Sequence, residues 1–148
     1  MPHLYVVGLQ EMVKLDAVGS IMNSKDLERC RLWQSLVESA LTARAKALRD
    51  DLSYVLLQKK VMFGCFIMVF VRRDVLDAQV LSFLKTAKVK TGLGGHAANK
   101  GAVAARLKFR GSSFMFMNCH LTSGQKEVAK RFEDLDTSYA ELSETFAS

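Results

Sequence analysis

Proline is almost missing from this chain: there is one in 148 residues, at position 2. No proline-rich linker therefore divides the sequence, and no repeat or low-complexity tract does so either. Cysteine is scarce as well. Cys30, Cys65 and Cys119 are an odd number at wide spacings without a Cys-x-x-Cys pair, which suggests neither a disulfide framework nor a zinc site. His3, His96 and His120 have no zinc-type spacing among themselves. A reducing, cytoplasmic compartment is expected, with peripheral membrane contact. The longest apolar run, Val61 to Val71, is about half of the roughly 20 residues that span a bilayer, and Gly64 interrupts it. It reads as a buried strand. No basic leader precedes a long apolar core at the amino terminus, so no signal peptide is expected.

Acidic residues are missing from one region. Between Lys85 and Arg110 there are seven Lys or Arg and no Asp or Glu, inside a chain of net charge +6. A positive block of this kind favours anionic partners: nucleic acid, anionic lipid headgroups or a polyphosphorylated small molecule. The hydrophobic fraction of 49% is that of an ordinary globular domain, large enough at this length to bury a core.

Leu4 to Leu9 reads as a buried strand that ends in Gln10 and Glu11. Ser24 to Arg49 has apolar residues at helical spacing, as one amphipathic helix or a helix pair. Tyr54 to Leu57 and Met62 to Val71 form two strands, with Gln58 to Lys60 expected to bend the chain between them. Val75 to Leu84 reads as a short helix or turn region, and Thr91 to Gly101 as a glycine-rich loop. Val103 to Phe109 and Phe114 to Asn118 make a hairpin, and Gln125 to Phe146 a helix capped by Thr122 or Ser123. The order predicts an α/β fold whose sheet is mixed and mostly antiparallel, with flanking helices.

Three places can carry chemistry. Glu11, directly after a buried strand, is placed to face a cleft, where one or two carboxylates and substrate oxygens suffice for magnesium; its bland alternative is a solvated helix cap. The loop around Gly95, His96, Asn99 and Lys100 can offer backbone N–H groups and cationic donors to an anion, although its spacing fits neither a nucleotide-binding P-loop nor a dinucleotide fingerprint. Asn118, His120 and Thr122 alternate with Cys119 and Leu121, so a strand puts three polar groups on one face. A lone histidine is usually structural; its sequence-distant companions are what would make a site.

Read in series, "VVGLQEM", "TGLGGHAANKGAV" and "NCHLTSGQKEVAKRFEDL" resemble the inositol polyphosphate 5-phosphatases of the endonuclease/exonuclease/phosphatase superfamily. Trp33 and "YVLLQKKVMFGCFIMVFVRR" between them resemble the family too, in family order. The resemblance implies a two-sheet α/β sandwich and Mg²⁺-dependent removal of the 5-phosphate from phosphoinositides or soluble inositol polyphosphates. Glu11 would match the metal carboxylate, with Gln10 beside it. His120 would match the histidine on the scissile phosphate, with Asn118 in its shell. Gly95, His96, Asn99 and Lys100 would face the headgroup and an anionic membrane surface, while Arg131 and Asp134 would serve in support. Nucleic acid is not expected as a partner, because the glycine loop disfavours the nuclease branch.

The chain also departs from the family pattern. Ala98 stands where a Gly is usual, and Phe132 where an Asn is usual. Neither a Trp-x-Gly-Asp-x-Asn nor a Pro-Ser-Trp-x-Asp-Arg segment is present, so the aspartate that activates water in the family has no match here. The expectation is a partial catalytic domain over residues 1–148, truncated at both ends, with one sheet face left for a partner to cover. The rival expectation is a non-catalytic phosphoinositide-binding fragment of the same fold.

Overall fold

The computed structural model describes residues 1–13, 22–92, 94–95 and 97–147, with the backbone alone at residue 98. Six strands and three helices follow in the order β1 (Leu4–Leu9), α1 (Ser24–Leu48), β2 (Tyr54–Met62), β3 (Cys65–Arg72), α2 (Arg73–Asp77), β4 (Leu81–Gly92), β5 (Ala97–Phe109), β6 (Ser112–His120) and α3 (Val128–Ala147). They build two three-stranded sheets, β1-β3-β2 and β4-β5-β6, and all four pairings are antiparallel.

The apolar run that cannot be an anchor is the centre of the first sheet. From Cys65 to Val71, β3 is at most 2% exposed, because it is paired on both edges and covered on both faces. Alternate residues of the strand divide its two sides. Cys65, Ile67 and Val69 face the second sheet, where Val103, Ala105 and Leu107 of β5 meet them. Phe66, Met68 and Phe70 point the other way, toward Cys30, Val37 and Leu41 of α1. On the outer face of the second sheet, Leu142 and Phe146 of α3 pack on Ala87, Val89, Ala102 and Ala104. The four layers are thus helix, sheet, sheet, helix.

That layering corrects the expected open sheet face. Both outer faces carry a helix, and the inner faces cover each other. What stays open among the described residues is the strand edges: β1 and β2 border one sheet, β4 and β6 the other.

Three local expectations change as well. Gln58 to Lys60 do not bend the chain; they lie inside β2 next to a bulge at Leu57, and the reversal comes at Phe63 and Gly64, where Met62 pairs with Cys65. Leu81 to Gly92 is a strand rather than the end of a helix running into a loop, so the glycine-rich segment is mostly the β4–β5 hairpin, with Asn99 and Lys100 inside β5. Thr122 and Ser123 do not cap α3, which begins at Val128; the Thr122 N–H and hydroxyl go to Asp134 instead. The helix over Ser24–Leu48 is single, and it opens on a capping box in which Asn23 and Asp26 each accept the other's backbone N–H. None of the helices among the described residues is long and apolar enough to cross a membrane.

Candidate active site

The two sheets are fastened together at one end, and Asn118 is the fastener. Its Nδ2 donates to the carbonyl of Leu9 at 2.8 Å and to that of Phe66 at 3.0 Å, neighbours on β1 and β3, while Asn118 itself belongs to β6 of the other sheet. Its own carbonyl accepts from the Cys65 thiol at 3.2 Å. The close approach demands a glycine opposite: a Cβ on Gly8 would stand 2.9 Å from Asn118 Cγ. Gln10 continues the seam, donating through Nε2 to the Cys119 carbonyl and, at 3.4 Å, to Asn118 Oδ1. Asn118 and the Nε2 of Gln10 therefore hold β1 against β6.

That seam sets Glu11, two residues past the end of β1, face to face with His120, the last residue of β6. Glu11 follows β1 with φ at +53°, a left-handed conformation uncommon outside glycine, and Met12 is then held by its N–H on the Gly64 carbonyl. Strain of this kind, of order 1–3 kcal/mol, persists only where the surroundings impose it. The Glu11 carboxylate reaches His120 Nε2 at 3.3 Å. Lys100 comes from β5, next to the Gly101 that pairs with His120, and puts Nζ 3.0 Å from the same ring nitrogen. The imidazole side chain is 7% exposed and the carboxylate 69%, so the ring is fixed and the carboxylate is open to solvent.

Burial pushes the His120 pKa below its ordinary 6.5, the Lys100 ammonium pushes it further, and Glu11 and the Asn99 backbone pull weakly the other way. The ring is neutral at pH 7. Nε2 accepts from Lys100 or, as the other tautomer, donates to Glu11; it cannot do both at once. Nδ1 is buried without a hydrogen-bond partner among the described residues. In the metal-free protein, Lys100→Met is expected to raise the His120 pKa and Glu11→Gln to lower it, read from the imidazole proton shifts against pH. The sign for stability follows. Above pH 6.5 folded and unfolded imidazoles are both neutral. As pH falls through 6.5 the unfolded chain takes up a proton that folded His120 refuses, so stability drops toward acid.

Arg131 and Asp134 stand one layer back. Arg131 Nη1 donates to the Gly124 carbonyl at 2.6 Å, and Asp134 Oδ2 accepts both the N–H and the hydroxyl of Thr122, at 2.9 and 2.6 Å. They tie the segment after His120 to α3. Gly95 is not brought to the site; it borders a hollow against α3 together with Lys130 and Glu133. Asn99 is exposed, with its side chain against Gly92. His96 lies outside the described residues. What sequence reasoning missed is Lys100 at the imidazole, although its place beside the residue paired with the strand-terminal histidine was a register signal. Burial favours the protonated thiols: it pushes those of Cys30 and Cys119 up, and that of Cys65 up to about 12.

The sequence profile of the endonuclease/exonuclease/phosphatase family 2 matches residues 1–145. The chain belongs to that family. It is similar to polyphosphatidylinositol phosphatase INP53 of Saccharomyces cerevisiae, 36% identical over 136 residues that make up 92% of this chain and 11% of the relative. Rat synaptojanin-2 is 35% identical over 131 residues, 88% of this chain and 8% of the relative. Among solved structures it is similar to the inositol polyphosphate 5-phosphatase domain of SPsynaptojanin in complex with inositol (1,4)-bisphosphate and calcium ion. That likeness has a TM-score of 0.73 at 28% identity and covers 91% of this chain and 35% of the other. The chain thus spans about a tenth of the curated relatives and about a third of the solved domain. The solved domain shares the two-sheet sandwich with flanking helices over the matched stretch.

Proposed function

We propose that this chain carries the metal-binding and phosphate-binding side of a 5-phosphatase site for phosphoinositides or soluble inositol polyphosphates, working in the cytoplasm and at the periphery of anionic membranes. The observation that supports it is the meeting of Glu11, Lys100 and His120 at one end of the sandwich, 3.0 and 3.3 Å apart around a single ring nitrogen. An exposed carboxylate beside two nitrogen donors suits a phosphate that arrives with a cation. The expectation that a phosphate lies between Glu11 and His120 needs one amendment: at 3.3 Å the two touch, so the solvent-exposed carboxylate has to swing away as the anion enters.

The donor set fits a hard cation. One carboxylate is available at Glu11, 69% exposed, and the rest of an oxygen shell can come from water and phosphate, as hard cations accept. We assign magnesium to Glu11 as part of this proposal, where it would neutralise phosphate charge and polarise the ester. Lys100 donates to a phosphate oxygen. His120, neutral and fixed, donates through Nε2 once Glu11 has moved, to the equatorial oxygens on which charge develops. Asn118 and Gln10 contribute by placement alone.

A second reading, binding without turnover, needs only the nitrogen donors of Lys100 and His120 beside an exposed carboxylate. One titration separates the two. The chain is mixed with inositol 1,4-bisphosphate by calorimetry, with and without Mg²⁺, and with phosphatidylinositol 4,5-bisphosphate while released phosphate is measured. Expected is Mg²⁺-dependent binding that is lost in Glu11→Ala and falls about tenfold in His120→Ala, the scale of one charge-assisted contact. Phosphate release selects catalysis, and binding without release selects the second reading. Metal-independent binding that survives Glu11→Ala overturns the proposed metal site and leaves the second reading, no binding overturns both, and cleavage of a DNA oligonucleotide points to the nuclease branch.

A further inference from the structure

A second hollow lies on the opposite border of the sandwich, between α1, β2 and β4, with a volume of about 400 Å³. Its floor is apolar: Leu27 and Cys30 from the helix, Val61 and the ring of Phe66 from the sheet. Its rim is cationic throughout. Arg31 stands on α1, Lys59 and Lys60 on β2 and Lys88 on β4, and no acidic side chain lines the hollow. It shares no side chain with the Glu11, Lys100 and His120 cluster.

Two of the four cations have an ordinary explanation. Lysines on an edge strand such as β2 discourage pairing with other chains, and Lys59 is also engaged by Gln34 at 2.7 Å. Edge protection does not explain why Arg31, from a helix, and Lys88, from the other sheet, converge on the same space. Arg31, Lys60 and Lys88 make no ion pair among the described residues. Asp26 is close enough to affect Cys30, yet it is buried in the capping box and faces Arg29 at 3.6 Å. The side chains that line the hollow are therefore positive, above a floor whose exposed apolar surface is that of Leu27 and Val61.

We propose that this hollow binds a phosphate-bearing amphiphile: an anionic phosphate held by Arg31, Lys60 and Lys88, with the apolar part of the same molecule on Leu27 and Val61. The bidentate guanidinium and two point-charge ammonium groups suit a phosphomonoester. The apolar floor separates such a ligand from inorganic phosphate. The site stands apart from the proposed phosphatase site and keeps its meaning if that reading fails.

The 148-residue chain is titrated by calorimetry with dihexanoyl phosphatidic acid as dissolved monomer, with inorganic phosphate, with dihexanoylglycerol, and with phosphatidylcholine vesicles containing phosphatidic acid. Expected is one-to-one binding of the monomeric lipid, tighter than inorganic phosphate by about tenfold for the two or so CH₂ groups the floor can cover, and none of the uncharged glyceride. Lys60→Glu with Lys88→Glu should weaken it at least about tenfold. The pair Lys108→Glu and Lys126→Glu, which changes net charge equally at a distance from the hollow, should leave it unchanged, as should His120→Ala. Lipid already in a bilayer would bind as well if its headgroup can be reached. Equal affinity for inorganic phosphate, equal loss in both charge-reversed pairs, or binding to vesicles without binding to monomer would each overturn the proposal.

Discussion

Gly101→Ala is expected to destabilise the fold by more than about 4 kcal/mol, well above an ordinary point substitution. The position is the centre of the second sheet, where Gly101 pairs with Lys90 on one side and His120 on the other. Its φ is +136°, and an added Cβ would stand 2.0 Å from the Val89 carbonyl oxygen and 3.0 Å from Lys90 Cα. Those atoms are backbone, so no side chain can rotate away. Relief requires β4 and β5 to separate, and that breaks the ladder that presents Lys100 to the imidazole. For a chain of this size the loss corresponds to a fall in Tm of roughly 8–16 °C, read by circular dichroism. An unchanged Tm would mean that β4 and β5 are not paired through Lys90 and Gly101.

The contrast between what could be read early and what could not follows the physical origin of each signal. Leu4–Leu9 and Ser24–Leu48 were legible because one is a bounded apolar run and the other an unbroken helical period. β4 was not. Its core-facing residues toward α3 are Ala87 and Val89, set between Thr86, Lys88 and Lys90, and such small side chains give little apolar contrast. The β2–β3 turn was hidden for the opposite reason: Phe63 and Gly64 sit in a continuous apolar stretch, while the polar Gln58 to Lys60 that looked like a turn lie on an edge strand with water beside them. At the site, Glu11 and His120 stood out because each stands at the end of an apolar strand pattern, and family motifs named them; β1, expected to be buried, is a half-buried edge strand. The task of Asn118 depends on packing between two sheets, which neither period nor motif encodes.

That task supports the other large effect. Asn118→Ala removes two donated hydrogen bonds and leaves the carbonyls of Leu9 and Phe66 poorly paired at the sheet seam, an expected loss of about 2–4 kcal/mol. Asn118→Asp keeps the size of the side chain and is expected to be worse at pH 7, because a carboxylate would face two carbonyl oxygens with nothing to donate. The introduced carboxyl would have its pKa raised above the ordinary value near 4 by that same repulsion. A raised pKa favours the folded state only where the group is protonated, so the aspartate variant should recover stability as pH falls below its folded pKa, when the neutral acid can donate one bond again. Denaturant unfolding of both variants at neutral and acidic pH tests this, with His120 opposing it mildly in both alike. Because the Leu9 carbonyl lies two residues before Glu11 and Asn118 two before His120, either variant should also loosen the 3.3 Å contact and shift the His120 titration. Equal stability of the alanine and aspartate variants at pH 7 would show that the amide does not act as a donor, and the positioning of Glu11 would then rest on Gln10 and the Cys119 carbonyl.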